Sequence, residues 1–436
     1  MMVQTDPRAP APPARTVALR VTLVCFAVAM IDGFDTLMLS FIAPLLVKSL
    51  HIDHAALGRI FGAGFFGTVL GSILIGPAAD RFGRRPMLLL SLALTGVLTL
   101  ACAAATTAPM LATLRFIGGL GMGGAIPVVA AVTAQNSPAR SRASLVILMF
   151  IGFPLGAVVG GALTAVLMMK FGWPFVFVMG GASALIAMVP VWFVIPAGTA
   201  PRDAGLAHAQ RRPRTLNPLG RTLADGRAPA AIALWCGVLA TMILSGFLVN
   251  FMPTILNLNG IAPDRAAMGA VLINVGAILG ALALSAIVGR FGPFKPVVTV
   301  FVAGGALTVA LGQLIGVGNG VFAMLFCIGA CLVGGQLTFP AIASRLFPDD
   351  VRGSGVGWTM AIGRAGSIIG PLVGGMLLAA HLPLERMFLM VGLLALCGAL
   401  GVALAYRWQP ADAGRRVTAD AAALSIAESE LSNGKH

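Results

Sequence analysis

Hydrophobic residues in this chain form long continuous runs, unlike the short alternating or periodic patterns of soluble proteins. About twenty apolar residues cross a bilayer as a helix, and a window of about nineteen residues finds twelve such runs. The predicted spans, numbered one to twelve, are 17–47, 55–79, 86–107, 109–134, 143–169, 173–196, 229–257, 266–288, 295–317, 320–345, 354–380 and 385–407. The pattern predicts an all-α membrane protein, and the lack of alternation excludes an outer-membrane barrel.

Composition and charge agree with this class. Of 436 residues, 58% are hydrophobic and only 10% are charged, whereas about a quarter are charged in soluble domains. The net charge of +14 does not indicate nucleic acid, because 22 of the 29 Lys and Arg fall on one side if both termini are cytoplasmic, against 5 on the other. The positive-inside rule therefore predicts cytoplasmic termini in the inner (plasma) membrane. The first run is too long for a signal peptide, so we expect it to be retained.

Two halves of the chain resemble each other. Gly67, Gly71 and Arg81-Phe82-Gly83 recur 209 positions later as Gly276, Gly280 and Arg290-Phe291-Gly292. Such repeats are typical of transporters that bind their substrate between the halves near the bilayer midplane. We therefore predict four regions: an N-terminal tail with a six-helix bundle (1–196), an Arg-rich cytoplasmic linker (197–228), a second six-helix bundle (229–408) and a mobile cytoplasmic tail (409–436).

Two carboxylates lie near the middle of span one, in Asp32-Gly33-Phe34-Asp35. A charge at the centre of a membrane helix costs about 2.5–3.5 kcal/mol on insertion scales. The i, i+3 spacing puts both acids on one helix face. They are candidates for a proton site that charges and discharges during transport, or for a polar pair that fixes helix packing. The second half has Ser245-Gly246-Phe247-Leu248 at the equivalent place, so the acids belong to the first half alone.

Two Arg residues lie inside spans. Arg364 is about ten residues into span eleven, and a buried Arg keeps its charge and needs an anion. That anion is a substrate carboxylate, which suits the guanidinium fork, or Asp32 or Asp35 in a permanent ion pair, or each in turn, with substrate displacing the Asp and the freed Asp taking a proton. Arg115, nearer the outer end of span four, either snorkels outward or lines the external vestibule. Further substrate-binding candidates, each with helix packing as the alternative, are Asn250, Asn274 and Trp358.

The loop after span two reads Gly76-Pro77-Ala78-Ala79-Asp80-Arg81-Phe82-Gly83-Arg84-Arg85. It resembles the signature loop of the major facilitator superfamily, in which a glycine is followed by an acid, a base, a glycine and two bases at fixed spacing. The resemblance implies twelve helices in two pseudo-symmetric bundles. It also implies that this loop helps to hold the inward gate through Gly76, Asp80, Arg81, Gly83, Arg84 and Arg85.

Within that superfamily, four stretches resemble the aromatic acid:proton symporters, the group that includes 4-hydroxybenzoate importers. They are the span-one motif, Gly152-Phe153-Pro154-Leu155-Gly156 with Gly160-Gly161, Gly334-Gly335-Gln336, and Arg352 to Trp358 running on to Gly363-Arg364-Ala365-Gly366. The resemblance implies that Asp32 and Asp35 are required for proton-driven uptake. It matches Arg115 and Arg364 to basic positions of the family, and Arg352 to its gate.

Two positions depart from the family pattern. Gln135 stands at the cytoplasmic end of span four, where the family usually has Glu, and Gly289 stands before Arg290, where the loop after span eight usually repeats an acid. We expect the charge network of the inward gate to be thinner than in relatives.

We therefore predict a monomeric secondary transporter that imports an aromatic carboxylate with protons by alternating access. One alternative is a proton-coupled drug or metabolite exporter of the same superfamily, but span five has Gly-Phe-Pro-Leu-Gly in place of the exporters' glycine-proline motif. An intramembrane enzyme is a remote alternative, since the chain has no His-Glu-x-x-His or P-loop. The six Cys lack disulfide or metal-site spacing, so we expect no metal and no cofactor.

Overall fold

A computed structural model describes residues 15–138, 141–196, 218–224, 226–315, 320–348 and 351–408. Most of the predicted linker (197–217 and 225) and the predicted tail (409–436) lie outside the described residues. The described chain is helical and contains no strand. This confirms the predicted all-α class.

Twelve helices of the described chain are long and apolar enough to cross a membrane, as predicted. Spans one to six are Arg15–Leu50, His54–Phe82, Arg84–Cys102, Ala108–Gln135, Arg142–Phe171 and Trp173–Val194. Spans seven to twelve are Ala228–Leu258, Pro263–Phe291, Phe294–Leu314, Gly320–Leu346, Arg352–Ala379 and Leu384–Arg407. A short helix, Pro218–Leu223, precedes span seven.

Capping side chains and a glycine turn mark where some of these helices begin and end. Asp53 caps span two by accepting a hydrogen bond from the backbone N–H of Ala56 at 2.6 Å, and Thr107 caps span four in the same way. Such side chains satisfy N–H groups that have no partner inside the helix. Between spans two and three the chain turns at Gly83, whose φ of +98° is one that glycine adopts readily.

The chain divides into two compact units. Unit one contains spans one to six together with Val249–Val275 and Pro371–Ala380. Unit two contains the described parts of Arg212–Leu248, Gly276–Gly370 and His381–His436. The predicted division into bundles 1–196 and 229–408 stays a prediction.

Glycines bring the helices of unit one close together. In span two, Gly67 and Gly71 lie directly against the backbone carbonyls of Phe116 and Leu120 in span four, so that a Cβ at either glycine would collide with them. Small residues of this kind let helix backbones approach each other in a membrane. The close approach of spans two and four therefore depends on these glycine positions.

Unit one also joins residues that are far apart in the sequence. The Ser40 hydroxyl of span one donates to the backbone oxygens of Val249 (2.7 Å) and Asn250 (3.0 Å) in span seven. The ring of Phe61 in span two packs edge-on against Phe251, with 5.5 Å between the centroids. These contacts attach the end of span seven to spans one and two.

Span ten is interrupted near its middle. After Gly320–Ile328 the helix widens into a π-helical segment, Gly329–Val333, and the final part, Phe339–Leu346, follows a turn. Gln336, 6% exposed, lies between these parts and donates from Nε2 to the backbone oxygen of Thr241 in span seven at 2.7 Å. Segments of this kind are frequent at functional sites.

Candidate substrate and proton site

The two middle residues of Asp32-Gly33-Phe34-Asp35 attach span one to span five. Gly33 lies against the carbonyl of Phe153, and the Phe34 ring lies on Gly160. Because successive helix positions point about 100° apart, Asp35 is directed away from span five. The glycine and the phenylalanine of the motif therefore set the depth and direction of its second acid.

Asp35 forms an ion pair with Arg115 of span four. The distance from Nη1 is 3.1 Å to Oδ2 and 3.3 Å to Oδ1, and Nη2 donates to the Asp35 backbone oxygen at 2.8 Å. Thr99 of span three adds a hydrogen bond from its hydroxyl to Oδ1 at 2.8 Å. Asp35 is 2% exposed and Arg115 is 9% exposed. Three spans of unit one thus hold a buried carboxylate and its counter-ion.

This geometry changes the role expected for Arg115. The sequence placed its side chain at the outer surface or in a vestibule, and offered Arg364 as the protein partner of the acids. The structure instead buries Arg115 and pairs it with Asp35, so the first half supplies its own guanidinium. The sequence signal was present, since a buried Arg in span four needs an anion. Hydropathy alone does not show which spans are neighbours.

A small cavity of about 20 Å³ lies beside the ion pair. Its polar lining comes from Asp35, Thr36, Thr68 and Arg115, and its apolar lining includes Phe61. The Phe61 ring also touches Phe251 of span seven, within unit one. The ion pair therefore borders a space that spans one, two and four share.

The other predicted site residues fall in both units. In unit one Asp32 (7% exposed) lies one turn before Asp35, Asn250 is 2% exposed, and Asn274 (6% exposed) donates from Nδ2 to Ala270 of its own helix at 2.9 Å. Arg364 and Trp358 belong to unit two.

Trp358 has an aromatic neighbour in unit two. Its ring, 38% exposed, is 6.5 Å from that of Trp235 in span seven at an angle of 45°. Trp235 donates from Nε1 to the hydroxyl of Thr359 at 3.1 Å. The ring of Trp358 thus packs beside that of Trp235 while part of its surface stays exposed. This arrangement suits contact with the aromatic ring of a ligand.

The signature loop is held by local contacts. Asp80 forms an ion pair with Arg84 at 3.4 Å, one turn apart in the sequence, and the Asp80 side chain is 64% exposed. The guanidinium of Arg85 lies over the ring of Trp192 in span six, 4.2 Å from its centroid. Arg81 lies over its neighbour Phe82 at 5.3 Å. These contacts attach the start of span three to the ends of spans two and six.

The remaining gate candidates lie at helix ends. Apart from its chain neighbours and the backbone of its own helix, Gly76 has no atom of a described residue within 4 Å of the place where a Cβ would be. Arg352 is an exposed residue at the start of span eleven, and Gln135 is the last residue of span four. Their roles in gating stay predictions.

The twelve apolar helices of the described chain and the buried ion pair within unit one define a multi-pass membrane protein with an internal polar site. The family model of the Major Facilitator Superfamily matches residues 25–363 and 234–433. The chain therefore belongs to the Major Facilitator Superfamily, a family of transporters, and to its group of aromatic acid transporters, to which the curated relatives below belong. This confirms the resemblance seen in the sequence.

Two relatives cover nearly the whole chain. The gallate transporter of Pseudomonas putida is 31% identical, over 88% of this chain and 90% of its own length. The 4-hydroxybenzoate transporter PcaK of Pseudomonas aeruginosa is 30% identical, over 91% and 94%. Among solved structures, the crystal structure of a D-xylose-proton symporter superimposes with a TM-score of 0.73 over 90% of this chain and 98% of that one. At 17% identity, this likeness shows the fold alone.

Proposed function

We propose that this chain is a secondary transporter that imports an aromatic carboxylate together with protons by alternating access, with both termini in the cytoplasm. The relatives named as gallate and 4-hydroxybenzoate transporters support the substrate class. They do not favour the exporter alternative. The observation that carries proton coupling is the buried ion pair between Asp35 and Arg115.

The pair links proton binding to anion binding. If Asp35 takes up a proton, Arg115 loses its counter-ion, and a buried unpaired charge costs about 3–5 kcal/mol. A substrate carboxylate that reaches Arg115 restores the pairing, since a guanidinium binds two carboxylate oxygens at once. Each ligand therefore favours the binding of the other, which is the energetic requirement for symport.

Charge balance gives Asp32 a role. One anion with one proton moves no net charge, whereas each net charge is worth about 2.3 kcal/mol per 100 mV of membrane potential. Asp32, buried one turn from Asp35, is the second carboxylate that a two-proton cycle needs. We propose that both acids titrate during transport.

We also propose substrate-binding roles for four residues of the second half of the sequence. Arg364 binds the substrate carboxylate once the anion has entered, Trp358 stacks on the aromatic ring, and Asn250 and Asn274 bond its hydroxyl groups. The partly exposed ring of Trp358 supports the stacking role. The signature loop and Arg352 act as the inward gate.

The test is uptake of labelled benzoate, 4-hydroxybenzoate and gallate into cells, with and without an uncoupler. The parent is expected to accumulate at least one of these acids and to lose accumulation with the uncoupler. Asp35→Asn and Asp32→Asn are expected to lose uphill accumulation. Counterflow, which exchanges labelled for unlabelled substrate without net proton movement, separates lost coupling from lost binding. Uphill uptake by both variants at the parental level would refute proton coupling through these acids.

A further inference from the structure

Gly64 of span two differs from its glycine neighbours. A Cβ at Gly67 or Gly71 would collide with the backbone of span four. The three atoms nearest to a Cβ at Gly64 would all belong to Arg115, with its Cβ and backbone oxygen at 3.8 Å and its Nε at 3.9 Å. These are ordinary van der Waals distances, so helix packing does not require a glycine at this position. The missing side chain instead leaves space beside the Arg115 guanidinium.

That space is the 20 Å³ cavity bordered by Asp35, and Gly64 is part of its lining. A buried water needs at least about 10–15 Å³ and two to four polar partners. The cavity therefore has the volume for one water molecule and is too small for a substrate. A methyl group on Gly64 would fill it.

The polar partners are also in place. Arg115 is 9% exposed, and no described residue accepts a hydrogen bond from its Nε–H. The hydroxyls of Thr36 and Thr68 donate to Met122 Sδ (3.4 Å) and to the backbone oxygen of Gly64 (3.1 Å), which leaves their oxygen lone pairs as acceptors. A water can thus accept from Nε and donate to the Asp35 carboxylate and to a threonine oxygen.

The cavity also leads outward from the buried acid. Asp35 is 2% exposed, whereas Thr36, Gly64 and Thr68 in the same lining are half-buried and reach the accessible surface. A water at this place would lie between the carboxylate and these partly exposed residues.

We propose that one water molecule bound in this cavity delivers protons to Asp35. It passes one hydrogen to a carboxylate oxygen of Asp35 and takes one from the next solvent molecule, so that one proton moves from solvent to the acid. Gly64 keeps the space open and Thr68 orients the water, so both are positioning residues. This inference rests on the proposed function, in which Asp35 is a coupling site.

The test is uptake of labelled 4-hydroxybenzoate into proteoliposomes, driven by a pH gradient. Gly64→Ala is compared with Gly118→Ala, a matched control in span four whose Cβ would make an ordinary 3.4 Å contact with Leu98 outside the cavity. Gly64→Ala is expected to slow uptake about tenfold at neutral external pH, since a displaced water takes its hydrogen bonds with it. Mild acidification is expected to relieve the deficit, because delivery is then less limiting. Gly118→Ala is expected to behave as the parent.

Substitutions of Thr68 provide a second test of the proposal. Thr68→Val removes the hydroxyl at nearly constant volume and is expected to slow uptake with the same relief by acid, whereas Thr68→Ser is expected to keep the parental rate. Parental uptake by Gly64→Ala, an equal loss in Gly118→Ala, or a deficit that acid does not relieve would overturn the proposal. If Asp35→Asn and Asp32→Asn both accumulate substrate uphill at the parental level, the proposed function fails first. If Asp35→Asn loses uphill accumulation and Gly64→Ala is normal, the water site alone is wrong.

Discussion

The two halves of this transporter use the same helix packing around different chemistry. In the first half, Gly67 and Gly71 of span two lie against carbonyls of span four. In the second half, Gly276 and Gly280 lie in the same way against carbonyls of Phe326 and Ala330 in span ten. The repeat seen in the sequence is therefore a repeat of helix contacts as well.

Within this shared packing the ion pair has no second-half equivalent. Asp35 corresponds to Leu248, 213 positions later, and Arg115 corresponds to Leu325, 210 positions later. Both leucines are 0% exposed. The architecture thus tolerates apolar residues where the first half has two charges. Since replacing a buried ion pair by apolar residues is often neutral or stabilising, stability does not explain why the pair is present.

The third residue of the site, Thr99, is also a threonine in the second half but has a different hydrogen-bond partner there. Thr99 corresponds to Thr308, 209 positions later. Thr99 donates across to Asp35, whereas Thr308 donates to the backbone oxygen of Gly304 in its own helix at 2.8 Å. The equivalent hydroxyl therefore bonds within its own helix in the second half, and to the Asp35 carboxylate in the first half. At these three positions, the first half holds a charged pair and the second half has residues that only pack or bond within their own helix.

The largest effect is expected from Arg115→Leu, which copies the second half at one position. It leaves Asp35 buried without its cation, at a cost of about 3–5 kcal/mol in unfolding free energy. The temperature of thermal unfolding in detergent should fall sharply. The double variant Asp35→Leu/Arg115→Leu should recover to within about 1 kcal/mol of the parent while transport stays absent. A double variant as unstable as the single one would show that the pair is structural.

A smaller effect is expected from Thr99→Val. Losing a hydrogen bond to a charged group costs about 1.5–3 kcal/mol, and the weakened hold on Asp35 should slow uptake. The matched control is Thr308→Val, which removes a hydroxyl bonded only within its own helix and should cost well under half as much. The measurement is unfolding temperature together with initial uptake rate. Equal losses in the two variants would remove the distinction between the halves.

Gly67→Ala and Gly276→Ala test the feature that the halves share. Each adds a methyl against a backbone carbonyl, and overpacking of this kind costs about 1–3 kcal/mol. The two unfolding temperatures should fall by similar amounts. Tolerance of one substitution but not the other would contradict the equivalence of the two helix crossings.

The smallest change in stability is expected from Asp80→Gly, which gives the signature loop the residue that Gly289 supplies in the second half. The ion pair with Arg84 is largely exposed on its Asp80 side, and such pairs contribute at most about 1 kcal/mol. Uptake should nevertheless fall several-fold if Asp80 belongs to the gate. Unchanged uptake together with unchanged stability would remove Asp80 from the gating residues.

The sequence predicted the architecture well because hydropathy in a bilayer is a strong local constraint. Span one was expected at 17–47 and runs from Arg15 to Leu50, and each of the twelve predicted spans corresponds to an observed helix. Span ten was expected as one continuous helix. Its π-helical segment was not foreseen, since neither composition nor periodicity distinguishes a widened turn from an ordinary one.

The site was harder to predict. Asp35 and Arg115 were both singled out, because charges inside apolar runs are rare and need a reason. Their pairing was missed because 80 positions of sequence separate them and it depends on which spans are neighbours. Gly67 and Gly71 stood out as members of the repeat, but the repeat does not show that they bring span two against span four.

The widened turn at Gly329–Val333 has a consequence for the helical phase of span ten. A π-turn accommodates one residue more than an α-turn, so every side chain after it is rotated by about 100° relative to an uninterrupted helix. Deleting a single residue within this segment would let it rewind as α-helix and turn Gln336 away from the Thr241 carbonyl that it now contacts. The side chains that span ten presents beyond this point are thus selected by an irregularity in its winding.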